Sequence, residues 1–266
     1  MNADFHTHAR TYGQGRRQAL ALHCTLGHSG AWRRLGEALE DRLTLVAMDL
    51  PGHGKSDDWD GRCDLHQLCT DAARRYLTQP MDVIGHSFGA TVALRLAVEQ
   101  PHLIRSLTLI EPVFFAAALV DAPETVSAYE SEAEPFLSAL REGNRLQAAR
   151  LFNRFWGDGT KWDDIPEATR RYMSDRIHIV SGQSAAIIDD NAGMMKPGVL
   201  ARALMPCLLI QGDRTADVID AIQTGLAARL PGARRAVITG AGHMAPLTHP
   251  AEVAREIAAL LEVAEE

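Results

Sequence analysis

The sequence predicts an α/β fold with a mostly parallel central sheet, helices on both faces and an inserted helical region. Short apolar runs of strand type alternate with helical patterns as far as residue 112. Over residues 113–200 only helical patterns occur, and the alternation returns from residue 201. Such a rhythm favours parallel strands, because each connecting helix packs back onto a face of the sheet.

Strands and helices alternate in the first half of the chain. Apolar runs bounded by glycine, proline or polar residues predict the strands, and longer amphipathic patterns predict the helices. The expected order is edge strand 5–12, strand 18–22, helix 31–41, strand 43–48, helix 64–77, a strand containing Val83-Ile84, helix 91–100 and strand 103–110.

The second half divides into a helical segment and a returning α/β pattern. The predicted elements are helices 125–142, 144–156 and 166–180, then strand 207–211, helix 217–229, strand 234–239 and helix 251–263. We therefore predict a core formed by residues 1–112 and 201–266, with residues 113–200 as a helical cap. A cap inserted after a strand would cover the carboxyl ends of the strands, where open α/β sheets bind ligands.

Composition narrows the classes of partner. The chain has 266 residues, 46% of them hydrophobic, and a net charge of −7. A phosphate-binding surface needs a basic patch and none stands out, so neither nucleic acid nor an anionic membrane is expected as a partner. A small-molecule substrate is expected instead, and a homodimer is left open as the assembly state.

The sequence also favours a cytoplasmic location. The first residues lack a basic start followed by an apolar run, so no signal peptide is expected, and no apolar stretch is long enough to span a bilayer. The four cysteines show neither zinc-type spacing nor the density of a disulfide framework. We interpret them as reduced thiols, with Cys24 set apart because it lies in the expected active-site region.

The motif Gly85-His86-Ser87-Phe88-Gly89 fits G-x-S-x-G. The pattern alone is weak, because a chain of this length contains it by chance about one time in ten. Here a strand precedes it and a helix follows it, so Ser87 sits at the apex of a sharp turn with little bulk around it. That turn would expose the Ser87 hydroxyl to a histidine base.

Four segments together resemble the α/β-hydrolase superfamily over nearly the whole chain. They are His23-Cys24-Thr25, Asp49-Leu50-Pro51-Gly52-His53-Gly54-Lys55-Ser56, the turn around Ser87, and Gly240-Ala241-Gly242-His243-Met244. The resemblance implies the α/β-hydrolase fold, with a helical cap after the sixth strand. It also implies a nucleophile, an acid and a histidine in that chain order.

His243 is the expected base, because it follows the last predicted strand in a glycine-rich loop, where the family keeps its histidine. His249 precedes Pro250 and is expected to start the final helix, while His86 and His53 are expected in structural turns.

Two backbone N–H groups are expected to form an oxyanion hole. The N–H of Phe88 follows the nucleophile, and the second donor comes from the loop after strand 18–22. Similar proteins often read His-Gly-x-Pro there, which places Thr25 at the donor position. Cys24 and Leu26 depart from this pattern.

The acid also departs from the family pattern. The usual position, three residues past Gly212, holds Thr215, which has no carboxylate. We favour Glu111, which ends the preceding strand at a position that some relatives use. A buried carboxylate needs a partner, and a histidine N–H would supply one. Asp213 and Asp217, in the same loop as Thr215, are the alternatives.

No cofactor or metal site is expected. Residues 49–56 resemble a phosphate-binding G-x-x-x-x-G-K-S loop, but Asp49 replaces the first glycine. Residues 240–245 fit G-x-G-x-x-A, but Pro246 and Pro250 obstruct the helix that a dinucleotide site requires. No metal-ligand cluster stands out.

The sequence therefore predicts a serine hydrolase that cleaves an ester-like bond of a small, partly apolar substrate through an acyl-enzyme. Aromatic residues of the cap are expected to contribute to an apolar pocket. A dehalogenase or epoxide hydrolase is disfavoured, because those relatives use an aspartate where this chain has Ser87. A ligand-binding protein with little catalysis and a carbon–carbon bond hydrolase are the alternatives.

Overall fold

Seven strands form a single sheet in the computed structural model, which describes residues 5–264. The strands are β1 Ala9–Tyr12, β2 Arg17–Leu22, β3 Leu43–Met48, β4 Met81–His86, β5 Ile104–Ile110, β6 Cys207–Gly212 and β7 Arg234–Ile238. Their order across the sheet is β1-β3-β2-β4-β5-β6-β7. β1 runs antiparallel to β3 and the other neighbouring pairs are parallel. The predicted mostly parallel sheet is confirmed.

Helices connect the strands and also fill the segment between β5 and β6. The α-helices are α1 Arg33–Ala38, α2 Leu65–Arg74, α3 Phe88–Glu99, α4 Phe115–Asp121, α5 Pro123–Arg141, α6 Arg145–Trp156, α7 Glu167–Arg176, α8 Ser184–Ile187, α9 Asp217–Ala227, α10 Ala245–Thr248 and α11 Pro250–Val263. Short 3-10 helices cover Ser29–Trp32, Pro101–Leu103, Trp162–Asp164, Ile177–Gln183 and Leu200–Arg202.

The core lies on both faces of the sheet, because successive side chains of a strand point to opposite faces. In β2, Leu20 and Leu22 join the apolar cluster that includes residues of α2, α3 and α9. Ala19 and Ala21 join the other cluster, with residues of α1 and α11. A third, smaller cluster is formed by residues of the segment 113–200 together with Leu26 from the loop after β2.

Three expected elements differ from the structure. The edge strand is only β1, because the backbone N–H groups of His6 and His8 donate to the side chains of Asp57 and Ser56 rather than to a neighbouring strand. The expected helix 31–41 is a 3-10 turn followed by the short α1. The expected helix 166–180 divides into α7 and a 3-10 helix.

The position of the helical segment also needs a correction. The family resemblance implies a cap after the sixth strand, whereas five strands precede it among the described residues. Between residues 113 and 200, all of which are described, the structure has helices and loops only. The boundaries of a separate cap domain stay a prediction.

Candidate active site

Ser87 lies in a strained turn between β4 and α3. Its backbone φ is 56° and ψ is −118°, in a region that side-chain-bearing residues rarely adopt. Close packing requires glycine on both sides. A Cβ on Gly89 would lie 2.2 Å from the Leu22 carbonyl oxygen, and one on Gly85 would lie 2.5 Å from the Cα of Ala90.

His243 connects Ser87 to a carboxylate. Its Nε2 lies 3.0 Å from the Ser87 Oγ, and its Nδ1 lies 3.0 Å from Oε2 of Glu111. All three residues are buried. With the Nδ1–H donated to the carboxylate, Nε2 is free to accept the Ser87 hydroxyl proton.

Glu111 follows β5 directly and is fully buried. Its Oε1 accepts from the Gly212 N–H at 2.7 Å, and its Oε2 accepts from the Thr215 hydroxyl at 2.5 Å as well as facing His243. These donors offset the cost of burying the carboxylate. Thr215, which lies where the family usually has its acid, therefore donates a hydrogen bond to Glu111, the expected acid in this chain. The sequence did not indicate this role for Thr215.

Asp213 and Asp217 lie apart from this hydrogen-bonded chain. Asp213 is exposed, and its carboxylate accepts from the Gly240 N–H at 2.7 Å. Asp217 is exposed at the first position of α9. Within residues 5–264, neither carboxylate is hydrogen-bonded to His243. His249 precedes α11, as expected, and its ring contacts the Thr248 hydroxyl rather than Ser87.

His86 requires a correction, because it is the last residue of β4 and not part of a turn. Its Nε2–H donates to the backbone carbonyl of His243 at 2.8 Å. Burial, and secondarily the neighbouring His243, lowers the pKa of His86 to about 3, so its ring is neutral. It fixes the backbone of the expected base, and the G-x-S-x-G pattern gives no signal of that contact.

The expected oxyanion loop follows β2. The Gly27 N–H donates to the Cys24 carbonyl at 2.9 Å, and Leu26, between them, has a φ of 61°. Thr25 is buried in this turn, and Phe88 begins α3 directly after Ser87. Burial raises the pKa of the Cys24 thiol to about 12, so this thiol is poorly suited to act as a nucleophile.

Backbone strain is concentrated at these positions. Among the described residues, four that are not glycine have a positive φ: Leu26, Ser87, Glu111 and Asp190. Leu26 lies in the expected oxyanion loop, Ser87 is the expected nucleophile, and Glu111 is the expected acid. Strained residues persist only where the surrounding structure determines them, and they cluster at functional sites.

A cavity of about 650 Å³ adjoins the site. It reaches Thr25 on one side and Met244, the neighbour of His243, on the other, while Ser87 and His243 themselves are not in its lining. The ring of Trp156, at the end of α6, lines the cavity and lies 4.5 Å from the His243 ring, measured between centroids. Most lining side chains are apolar, and Asp158 is the lining carboxylate among the described residues.

Within residues 5–264, no group of three or more histidine, cysteine, aspartate or glutamate side chains is arranged to hold a metal ion. In the same part of the chain, no helix combines the length and the apolar character needed to cross a membrane.

The chain belongs to the alpha/beta hydrolase family, whose model matches residues 19–256. A pimeloyl-[acyl-carrier protein] methyl ester esterase of Xanthomonas campestris pv. campestris (strain B100) is 31% identical over 243 residues, which cover 89% of this chain and 91% of that protein. The protein is thus an α/β-fold hydrolase with esterase relatives.

Other similarities are partial or concern the fold alone. The dihydrolipoyllysine-residue acetyltransferase component of the acetoin cleaving system of Cupriavidus necator is 36% identical over 110 residues. This match covers 40% of the chain and only 29% of that protein. The solved structure of MGS-M2, an alpha/beta hydrolase enzyme from a deep-sea metagenome library of the Medee basin, has a TM-score of 0.77. It is 16% identical, with 96% of this chain and 94% of that one covered, and supports the fold.

Proposed function

We propose that the protein is a cofactor-independent serine esterase in which Ser87, His243 and Glu111 form the catalytic triad. The observation that carries this proposal is the continuous hydrogen-bonded chain from the Ser87 hydroxyl through the His243 ring to the Glu111 carboxylate. A serine hydroxyl is a weak nucleophile until a base takes its proton, and this arrangement supplies an oriented base.

The proposed reaction has two halves. The Ser87 Oγ attacks the ester carbonyl carbon while His243 Nε2 takes the hydroxyl proton, and the Thr25 and Phe88 N–H groups stabilise the oxyanion. The carbon–oxygen bond to the alcohol then breaks, and the alcohol leaves with that proton. Water attacks the acyl-enzyme, gives a proton to His243, and releases the acid as Ser87 regains its hydrogen.

The cavity favours an acyl group that is apolar and uncharged. Phe152, Trp156 and Met173 contribute apolar surface to its lining, and no lysine or arginine lines it in the described part of the chain. A free carboxylate at the far end of the acyl group would meet Asp158 rather than a cation. From the Xanthomonas relative we carry over the ester bond, and not its carrier-protein substrate.

The ligand-binding alternative depended on Thr215 replacing the usual acid. Because the Glu111 carboxylate lies 3.0 Å from His243, that reason no longer applies. A fluorophosphonate probe tests the two functions. We expect covalent labelling of the wild type and none of the Ser87→Ala variant, with hydrolysis of p-nitrophenyl esters lost in parallel. An unlabelled, inactive wild type would support the binding protein.

The class of bond cleaved, the cellular location and the assembly state rest on fewer observations than the triad does. Lactones and thioesters, assayed beside the esters, would define the bond that is cleaved. The cytoplasmic location and the homodimer stay predictions.

A further inference from the structure

A buried hydrogen-bond pair joins the helical segment to the expected oxyanion loop. Gln183 ends the 3-10 helix Ile177–Gln183, and its side-chain amide faces the hydroxyl of Thr25. The Thr25 Oγ1 donates to Gln183 Oε1 at 3.1 Å and accepts from Gln183 Nε2 at 2.9 Å. Both residues are buried, so water does not compete for this pair.

Two further contacts join the same loop to the helical segment, one through Tyr172 and one through the side chain of Leu26. The Tyr172 hydroxyl, on α7, donates to the Gly27 carbonyl at 3.0 Å and accepts from the Gly54 N–H at 2.9 Å. The Leu26 side chain packs in the apolar cluster that contains Phe136 and Ile177. Each residue from Thr25 to Gly27 therefore contacts the segment 113–200.

This support matters because the loop is strained. Leu26 has a left-handed φ, which is unfavourable for a branched side chain, and no proline restricts the turn. Contacts from outside the loop therefore add to the Gly27–Cys24 hydrogen bond in restraining the backbone of Thr25. Gln183 contacts the residue whose N–H is expected to bind the oxyanion.

We infer that Gln183 is a positioning residue that sets the Thr25 N–H for transition-state stabilisation, so that the helical segment completes the oxyanion hole. The inference rests on the proposed esterase function. An oxyanion donor acts only when it points at the developing charge, and small displacements are costly. Gln183 does not line the cavity, so it acts through Thr25 rather than by holding the substrate.

The test compares kcat, KM and the affinity of a trifluoromethyl ketone that forms a reversible tetrahedral adduct with Ser87. For Gln183→Ala we expect kcat to fall by about 10- to 100-fold, with KM little changed. The inhibitor affinity should fall by a similar factor, since the adduct places its oxyanion in the same hole. Gln147→Ala is the matched control, because Gln147 is an exposed glutamine of α6.

A second pair of variants keeps the test valid if Gln183→Ala folds poorly. Thr25→Val keeps the shape and the N–H but removes the hydroxyl, so it should reproduce the loss. Thr25→Ser retains the hydroxyl and should recover most of the activity that Thr25→Val loses. Gln183→Ala and Thr25→Val remove the same interaction, so their losses of kcat should not multiply in the double variant. Thermal unfolding midpoints identify variants with folding defects.

Three outcomes would overturn the inference. Wild-type kcat and inhibitor affinity in Gln183→Ala and Thr25→Val would show that the pair is only structural. A raised KM with unchanged kcat would place Gln183 in substrate binding. Full multiplication of the two losses would show that they act separately. In each case loss of activity in Ser87→Ala would leave the esterase function standing, whereas an inactive, unlabelled wild type would remove both proposals.

Discussion

The acid loop, residues 212–217, and the oxyanion loop, residues 24–27, differ in what holds them. Each departs from the family pattern, at Thr215 in one and at Cys24 and Leu26 in the other. In the acid loop, the sheet compensates for the missing carboxylate at Thr215. The neighbouring strand β5 is followed by Glu111, and the Thr215 hydroxyl donates a hydrogen bond to the Glu111 carboxylate. In the oxyanion loop the support comes from the helical segment between β5 and β6.

Because different contacts hold the acid loop and the oxyanion loop, different substitutions should disturb each of them. β5 and β6 are paired up to Ile110 and Ile210, so the backbone of Glu111, the proposed acid, is fixed by main-chain hydrogen bonds. The oxyanion loop depends on a few side chains that come from distant parts of the sequence. Loss of the contacts from Gln183 and Tyr172 should therefore lower transition-state stabilisation while leaving the Ser87–His243–Glu111 chain intact.

Loss of His243, the proposed base, should have the largest effect, because its ring connects Ser87 to Glu111. We expect His243→Ala to lower kcat/KM by about 10⁴- to 10⁶-fold, as removal of a triad member does elsewhere. His249→Ala is the control, since its ring contacts Thr248 and not Ser87. Ester hydrolysis measures both variants. Comparable losses in the two would mean that the loop after β7 has been assigned wrongly.

Loss of the acid charge should come next. Glu111→Gln keeps the shape of the side chain, and we expect kcat to fall by about 10²- to 10⁴-fold. Asp213→Asn and Asp217→Asn should each stay within about tenfold of wild type, because both side chains are exposed and neither is hydrogen-bonded to His243. Steady-state kinetics on one ester compares the three. The assignment fails if an aspartate variant loses more activity than Glu111→Gln.

Removal of the donor to the acid should cost less. Thr215→Val deletes the hydroxyl that donates to Glu111 Oε2, while the Gly212 N–H remains. A single hydrogen bond to a charged group contributes about 1.5 kcal/mol or more, so we expect kcat to fall by about tenfold. Measuring the affinity of the trifluoromethyl ketone for this variant and for Thr25→Val distinguishes an effect on the acid loop from an effect on the oxyanion loop. A wild-type kcat would indicate that Thr215 only fills space.

The pH dependence of stability should reflect four buried histidines. Burial lowers the pKa of His23 and His86 to about 3, and of His53 and His66 to about 4. In the unfolded chain these rings would titrate near 6.5, so below that pH unfolding takes up protons. The free energy of unfolding should therefore fall as the pH drops from 6.5 towards 4, by up to about 1.4 kcal/mol per pH unit for each histidine.

Denaturant titrations at several pH values measure this slope. His23 directly precedes the oxyanion loop, and its Nε2 accepts from the Leu50 N–H, while the His86 Nε2–H donates to the His243 carbonyl. His23→Asn and His86→Asn should each reduce the slope by the contribution of one proton. An unchanged slope in both variants would contradict the assignment of neutral buried rings.

Local patterns explain what the sequence predicted. The strand, turn and helix around Ser87 are consecutive in the chain, and the glycine-rich loop at His243 follows a strand. The mostly parallel sheet is confirmed. The structure brings Ser87, His243 and Glu111 together, whereas their catalytic roles stay predictions. Glu111 was favoured because a carboxylate at a buried strand end needs a partner.

The supporting contacts could not be predicted because they join distant residues. Thr215 is 104 residues from Glu111, His86 is 157 from His243, and Gln183 is 158 from Thr25. Nothing near these residues in sequence signals the partner, since a threonine or glutamine has many ways to satisfy its hydrogen bonds.

The most direct measurement of the central claim, that Glu111 supplies the triad carboxylate, is the proton NMR signal of His243 Nδ1–H. Burial and a charged acceptor should move this signal far downfield and slow its exchange with water. We predict that it is present in the wild type, that it disappears in His243→Ala and moves clearly upfield in Glu111→Gln, and that Asp213→Asn and Asp217→Asn leave it unchanged. A signal that survives unshifted in Glu111→Gln but is lost in either aspartate variant would contradict the claim.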